Sequence, residues 1–269
     1  MNIPSFPSLT WERNNEIGLK PVKKYSFVSN LKNHMQLQGE LTKPLWPEFM
    51  MHDPVADKYW SSLFELFPDY QISLLLDDEI IGIANSIPFR WNDDLEYLPE
   101  QGWDWAFEKG VEDFRNNIKP NALCGLQIAV KKEFQGKGLS TIIVKELIRM
   151  ARINKFVFLV IPVRPSLKSN YTLTSIDEYI TWKREDGLPF DPWLRVHIKC
   201  GGKIIKPCHK AMYISGSIKE WEAWTGLRFL RSGQHILEGA LTQVSIDREA
   251  DLGEYIEPNV WVVHRIGKK

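Results

Sequence analysis

The sequence predicts an α+β fold with a mixed sheet. Two apolar runs, 72–76 and 80–87, flank an acidic turn at 77–79, which is typical of an antiparallel β-hairpin. Further along, the apolar segment 123–130 precedes a glycine turn, an amphipathic helix and a second apolar run at 156–161. Strand, helix and strand in this order form a βαβ unit, whose two strands are parallel. A hairpin and a βαβ unit in one chain predict a mixed sheet.

The chain before the hairpin is predicted to hold short elements. Residues 1–22 carry three prolines and mixed charge, which indicates an irregular arm, and a short strand follows at 25–28. The segment 31–51 has a helical composition interrupted by two prolines, so it predicts two short helices rather than one rod. Asp53 followed by Pro54 predicts the start of another helix, because Asp caps free amides and Pro lacks the N–H that would stay unpaired.

Further helices interrupt and follow the βαβ unit. A tryptophan-rich helix is predicted near 100–116, before the unit. A capping box begins a predicted helix at 176–184, and an Asp-Pro pair begins another at 191–202. The apolar segments 203–205 and 211–214 then predict a closing hairpin.

The domain organisation is predicted to have two parts. Residues 1–216 form the main domain, and residues 217–269 form a C-terminal extension. No flexible Gly/Ser linker separates the two parts, so we expect the extension to pack on the main domain.

The charge balance favours a small-molecule partner. Lys plus Arg and Asp plus Glu each number 34, so no net field attracts nucleic acid or an anionic membrane. We therefore expect neither nucleic acid nor a membrane as partner. The oligomeric state stays open, with a dimer among the options.

The cysteine content and the N-terminal residues predict that the protein is located in the reducing cytoplasm. The chain has three cysteines, too few for a disulfide framework. Cys208 adjoins His209, but no second ligand pair has zinc spacing, so we expect no metal. The first residues lack the basic start and apolar core of a signal peptide.

The turn between the first βαβ strand and its helix has the features of an anion site. Gly136 and Gly138 can adopt positive φ and let a phosphate approach the backbone. The first turn of the following helix offers unpaired N–H groups and the positive end of the helix dipole. The letters match neither a dinucleotide fingerprint, since position 141 is Thr141, nor a P-loop, since Lys137 precedes Gly138. A βα connection without a ligand is the alternative interpretation.

The same turn resembles the coenzyme A turn of the GNAT superfamily of acyl-CoA-dependent N-acyltransferases, Gln/Arg-x-x-Gly-x-Gly/Ala. Gln135 and Gly138 fill two of its fixed places, and Ser140 fills the third in place of the usual Gly or Ala. The resemblance covers residues 22–216 and implies a three-layer αβα fold with a mostly antiparallel sheet. It also implies acetyl-CoA or another acyl-CoA as co-substrate and an amine of a small molecule or peptide as acceptor.

The resemblance also assigns the coenzyme-binding residues. The backbone at the end of the first βαβ strand would pair with the pantetheine arm, and the turn would hold the pyrophosphate. The strand residues are Ile128, Ala129 and Val130, and the turn residues are Gln135, Gly136, Lys137, Gly138, Leu139, Ser140 and Thr141.

The acid and the base of the reaction are predicted less directly. The predicted helix 191–202 resembles the last helix of the family, in which a tyrosine protonates the leaving thiol. His197 replaces that tyrosine here, so the resemblance predicts His197 as the acid, with a packing role as the alternative. The strand 123–130 contains no acid, and the candidates for the general base are Glu96, Asp53, His52 and Tyr171.

Three tryptophans flank the helix near 100–116. Trp91, Trp103 and Trp105 would suit the wall of an acceptor pocket or the hydrophobic core.

Together these features predict an N-acetyltransferase in which an amine attacks the thioester directly. Cys124 lies in a predicted core strand and is therefore a poor nucleophile for a covalent intermediate. A catalytically inactive acyl-CoA sensor is the second hypothesis, because the family tyrosine is missing. A nucleotide-binding domain of mixed fold is the third.

Overall fold

A computed structural model describes residues 25–267 and contains one mixed sheet flanked by helices. The predicted irregular arm at 1–22 lies outside the described residues. The strands are β1 (Tyr25–Ser29), β2 (Gln71–Leu76), β3 (Glu79–Phe89), β4 (Ala122–Val130), β5 (Phe158–Val163), β6 (Lys203–Gly216), β7 (Gly233–His235), β8 (Val244–Asp247) and β9 (Leu252–Arg265). The helices are α1 (His34–Thr42), α2 (Pro54–Leu66), α3 (Gly102–Arg115), α4 (Leu139–Ile153), α5 (Ile176–Tyr179), α6 (Pro192–Lys199) and α7 (Ile218–Thr225).

The strand order confirms the α+β class. The sheet runs β1-β2-β3-β4-β5-β9-β8-β7, and β6 pairs with the other edge of β9. Strands β4 and β5 form the parallel pair of the βαβ unit, and the remaining pairs are antiparallel. None of the helices in the described range is long and apolar enough to cross a bilayer.

Two helical layers cover the two faces of the sheet, as the predicted three-layer fold requires. Ile143 and Leu147 of α4 pack with Leu194 of α6 in one core. Leu63 of α2 and Phe107 of α3 pack in a second core on the other face, together with α7. Helix α1 lies on the face of α2, because Leu41 packs on Ala129 while the neighbouring Ile128 and Val130 pack toward α4.

Several local predictions from the sequence are confirmed. The hairpin 72–87 is formed by β2 and β3, and α3 matches the predicted helix within two residues at each end. Asp53 caps α2, its Oδ1 accepting hydrogen bonds from Val55 N at 3.0 Å and Ala56 N at 2.8 Å. Asp191 caps α6 in the same way.

Two local predictions are wrong. Segments 203–205 and 211–214 do not form a hairpin but belong to the single strand β6, which bulges between Cys208 and Met212 and pairs with β9 on both sides of the bulge. The partner strand comes from the C-terminal end of the chain, so the local pattern did not reveal it. The helix predicted at 176–184 ends at Tyr179.

The sheet also crosses residue 216, where the sequence analysis divided the chain. Strand β9 pairs with β5 over 260–265 and with β8 over 252–254, and β6 pairs with its opposite edge. The division into a main domain 1–216 and an extension 217–269 stays a prediction.

Candidate active site

The turn before α4 is open. Gly136 and Gly138 have φ values of +73° and +80°, and no heavy atom lies within 4 Å of the position that a Cβ would take at either residue. Gly138 is the N-cap of α4, and no side chain caps the helix. The amides of Gln135 and Thr141 already donate to Lys132 O and Gly138 O. Residues 136–140 therefore provide the amides that an anion above α4 would bind.

Two side chains hold the turn in place. Gln135 Nε2 donates to Val130 O at 3.0 Å, which ties the turn to the last residue of β4. Lys137 Nζ donates to Glu133 O at 2.8 Å and lies 4.9 Å from the centre of the Phe134 ring. Lys137 is exposed, so its charge is free to act on an anion above the turn.

A gap opens between β4 and β5 beside this turn. The two strands pair only from Ala122–Cys124 with Phe158–Val160, and β5 then continues along β9. Strand β4 bulges at Leu126, where its register with β3 shifts. The second half of β4 is thus paired on one edge only.

The backbone groups on this open edge alternate. Lys131 N donates to Ile81 O, so the alternation of an antiparallel pair directs the backbone of Ala129 toward β3 as well. The backbone groups of Ile128 and Val130 face the gap, where Val130 O already accepts Gln135 Nε2. Two of the three predicted strand residues, Ile128 and Val130, therefore offer polar groups to a ligand in the gap. The backbone of Ala129 does not face the gap, and its assignment as a coenzyme-binding residue stays a prediction.

Helix α3 forms a wall near the start of the gap. Trp103 Nε1 donates to Leu126 O at 2.7 Å, which satisfies the carbonyl of the bulge. Trp91 and Trp105 pack edge to face with 5.5 Å between ring centres, and Trp105 packs against Trp261. Trp91 and Trp105 are thus part of the core, and Trp103 is the tryptophan that reaches β4.

His197 lies in the interior, away from solvent. Its side chain has 0% exposure, and its Nδ1 lies 3.2 Å from Nε2 of His264 on β9. Trp193 packs against the ring with 4.6 Å between centres. Burial lowers the pKa of His197 to about 3, so the imidazole is neutral at physiological pH. The catalytic assignment of His197 stays a prediction, and these contacts favour the packing role.

The four candidate bases lie in three parts of the chain. Glu96 lies in a short 3-10 turn, and Tyr171 packs in an aromatic cluster with Trp182. The ring of His52 stacks on Trp224 with 4.2 Å between centres. Asp53 is fully buried at the start of α2.

Asp53 has a partner that the sequence analysis missed. The carboxyl of Asp104, in the first turn of α3, interacts with the Asp53 carboxyl. Burial raises the pKa of both groups, and the charge of Asp53 raises the pKa of Asp104 further. The sequence contained one signal for this partner: Asp104 is an acid placed between two tryptophans on the apolar side of an amphipathic helix.

A known enzyme resembles this chain over most of its length. The arginine N-acetyltransferase avaD of Aspergillus versicolor is 33% identical over 250 residues, which cover 82% of this chain and 86% of that protein. No family model matches the chain.

Two solved structures share the fold. The loading GNATL domain of CurA from Lyngbya majuscula superposes with a TM-score of 0.60 at 20% identity, over 90% of this chain and 98% of that domain. The GphF GNAT-like decarboxylase in complex with isobutyryl-CoA superposes with a TM-score of 0.54 at 12% identity, over 90% of this chain and 99% of that protein. At these identities the likeness concerns the fold.

Proposed function

This chain belongs to the GNAT superfamily and is an N-acetyltransferase, and we propose that it transfers an acetyl group from acetyl-CoA to a nitrogen of an arginine-like small molecule. One observation supports acetyl-CoA as the co-substrate. The open glycine turn at 136–140 adjoins the unpaired edge of β4, so one extended ligand could contact both. The turn suits a diphosphate, and the strand edge suits the amides of a pantetheine arm.

The acceptor is proposed from the resemblance to avaD, whose name states arginine as its substrate. In the proposed reaction, the acceptor nitrogen forms a C–N bond to the thioester carbonyl carbon, and the C–S bond breaks. One proton passes from the nitrogen to the sulfur, directly or through solvent.

The cysteines support direct attack rather than a covalent intermediate. Cys124 and Cys208 are fully buried, Cys200 is half-buried, and burial raises the pKa of all three thiols. A buried protonated thiol is a weak nucleophile. We therefore propose no acyl-cysteine step.

Calorimetric titration with acetyl-CoA and with CoA tests the co-substrate. We expect wild-type protein to bind both ligands and the double variant Gly136→Ala, Gly138→Ala to bind each at least ~10-fold more weakly. Alanine fits the open space at both positions but disfavours the positive φ by about 1 kcal/mol per residue. The loss should therefore come from the shape of the amide turn.

Gly187→Ala is the matched control. Gly187 has a φ of +74° and equally open surroundings, but it lies in the connection between α5 and α6. We expect a similar cost in stability and unchanged coenzyme affinity. Absence of coenzyme binding by the wild type, or equal affinities of the double variant and the control, would refute the proposed coenzyme site.

A further inference from the structure

Asp53 and Asp104 leave two carboxylate oxygens without a donor. Oδ1 of Asp53 accepts the amides of α2, and Oδ2 of Asp104 accepts Tyr213 N at 3.2 Å. Within residues 25–267, Asp53 Oδ2 and Asp104 Oδ1 are both buried and without a hydrogen-bond donor. The two carboxyls interact, and burial together with the charge of Asp53 keeps a proton on Asp104 at neutral pH, which can join the two oxygens when no ligand is bound. A cationic donor could replace this proton, so the pair offers acceptor capacity to a ligand.

The other buried acids of the described chain show how unusual this is. Asp191 begins α6 with the same Asp-Pro motif as Asp53, and its Oδ1 likewise accepts two helix amides. Its Oδ2, however, accepts Leu167 N and the Tyr179 hydroxyl, both at 2.9 Å. The carboxylates of three further buried acids have donors on both oxygens; these are Asp113, Glu146 and Glu257.

The charges around the pair add to its negative potential. Asp57 on α2 acts on Asp53 and Glu108 on α3 acts on Asp104, and both of these neighbours are acidic. The ion pairs found in the described residues include neither carboxyl. A buried pair of acids without a cation is costly to the fold, so a cationic ligand would relieve that cost.

The residue next to Asp104 connects the pair with the start of the gap. Asp104 follows Trp103, whose indole reaches the bulge carbonyl of Leu126 at the start of the gap. Both acids belong to helices that cover the face of the sheet opposite α4. Asp104 is only half-buried, which leaves a route from solvent. A ligand held by the pair could therefore extend toward the gap.

We propose that Asp53 and Asp104 together bind the guanidinium group of the acceptor. This inference rests on the proposed function and deepens it. A planar guanidinium carries five N–H donors in a fixed fork, which suits two converging carboxylate oxygens better than a point charge does. The pair acts in binding and positions the acceptor, while the reaction takes place along the gap.

The test uses Asp53→Asn and Asp104→Asn in the full chain. Asn caps a helix as well as Asp does, so Asp53→Asn keeps α2 intact while removing the charge. With L-arginine as the acceptor, we expect each variant to raise the KM, and the Kd from calorimetry, at least ~10-fold. We expect kcat to change less than ~3-fold and CoA affinity to stay the same. L-citrulline, a neutral isostere, should bind wild type and variants with similar weak affinity.

Glu65→Gln is the matched control. It removes one negative charge from the opposite end of the same helix, at an exposed position, and we expect the KM for L-arginine to stay within ~2-fold. Unchanged KM in both pair variants, or equal binding of L-arginine and L-citrulline by the wild type, would overturn the inference. Binding of CoA without any binding of L-arginine would overturn it too, while leaving the coenzyme site standing. Loss of CoA binding would instead refute the proposed function.

Discussion

The coenzyme turn and the acid pair are built in opposite ways. The turn is a run of consecutive residues, 135–141, that presents backbone amides on the surface. The acid pair joins the start of α2 to the first turn of α3 and contacts β6, and one of its two members is fully buried. The turn depends on two glycine conformations, whereas the pair depends on the packing of three elements that are far apart in the chain.

This difference predicts how each region responds to substitution. A change on an exposed turn alters ligand binding and leaves the fold largely intact. A change among the buried polar groups around the acid pair alters the stability of the whole protein, because desolvated charges are expensive. The three predictions below test this contrast in order of decreasing effect.

The largest effect is expected at the end of β5, on the side of the acid pair. Arg164 Nε lies 3.0 and 2.9 Å from the two carboxylate oxygens of Glu257, and the Glu257 side chain has 0% exposure. The guanidinium of Arg164 also lies over the ring of Trp46. Arg164→Met leaves a buried carboxylate without its cation, so we expect a loss of about 3–5 kcal/mol in the free energy of unfolding. Urea denaturation measures this loss.

An exposed ion pair gives the control. Arg184 lies 3.9 Å from Asp186, and both side chains are about half exposed. We expect Arg184→Met to change the free energy of unfolding by less than about 0.5 kcal/mol. A similar small effect of Arg164→Met would contradict the contrast between buried and exposed regions.

The second effect concerns the pH dependence of stability. Burial, followed by the charge of Asp53, raises the pKa of Asp104 above its usual range. The folded state therefore keeps a proton that the unfolded state releases above pH ~4, so this group lowers stability as pH rises toward and through neutrality. Asp104→Asn removes the titration and supplies an N–H donor to Asp53. We expect the variant to be more stable than wild type by roughly 1 kcal/mol at pH 8, with a smaller difference at pH 5.

Thermal or urea unfolding between pH 5 and pH 8.5 measures this trend. Glu65→Gln should show no difference from wild type that grows with pH, since Glu65 is exposed and lies at the opposite end of α2 from the pair. A variant Asp104→Asn that is less stable than wild type at pH 8 would mean that the pair is held as a structural acid pair with its own donors. Asp104→Asn could instead be more stable than wild type and bind L-arginine more weakly, as proposed above. The substitution would then increase stability and reduce function.

The sequence predicted those parts of the molecule that depend on neighbours along the chain. The hairpin of β2 and β3, the Asp53 cap and the order of β4, turn, α4 and β5 all follow from local pattern. The coenzyme turn belongs to this group, because its glycines and its helix start lie within a few residues of each other. The family was recognised from this stretch.

The parts that were missed depend on distant segments. The sequence predicted a hairpin where the structure has the single strand β6. The partner of β6 is β9, residues 252–265, and no local signal indicates that pairing. The assignment of His197 as an acid stays a prediction, and the sequence did not indicate that His264 on β9 lies beside its ring. Asp104 was overlooked because its significance comes from Asp53, which lies 51 positions earlier in the printed sequence. Local pattern was therefore enough to propose the coenzyme turn, whereas the proposed acceptor site could be found only in the structure.

The smallest effect is expected from Lys137 on the coenzyme turn. Its ammonium group is exposed and contacts Glu133 O, so it would add a screened point charge to the amides that hold the diphosphate. We expect Lys137→Ala to weaken CoA binding about 2- to 5-fold in 50 mM salt and to have little effect in 500 mM salt. Lys132→Ala, at an exposed lysine of the preceding 3-10 turn, should have no effect at either salt concentration. The glycine double variant should lose affinity equally at both concentrations, because its defect is in backbone shape. A salt-independent loss of 100-fold or more in Lys137→Ala would assign the diphosphate to the lysine rather than to the amides of the turn.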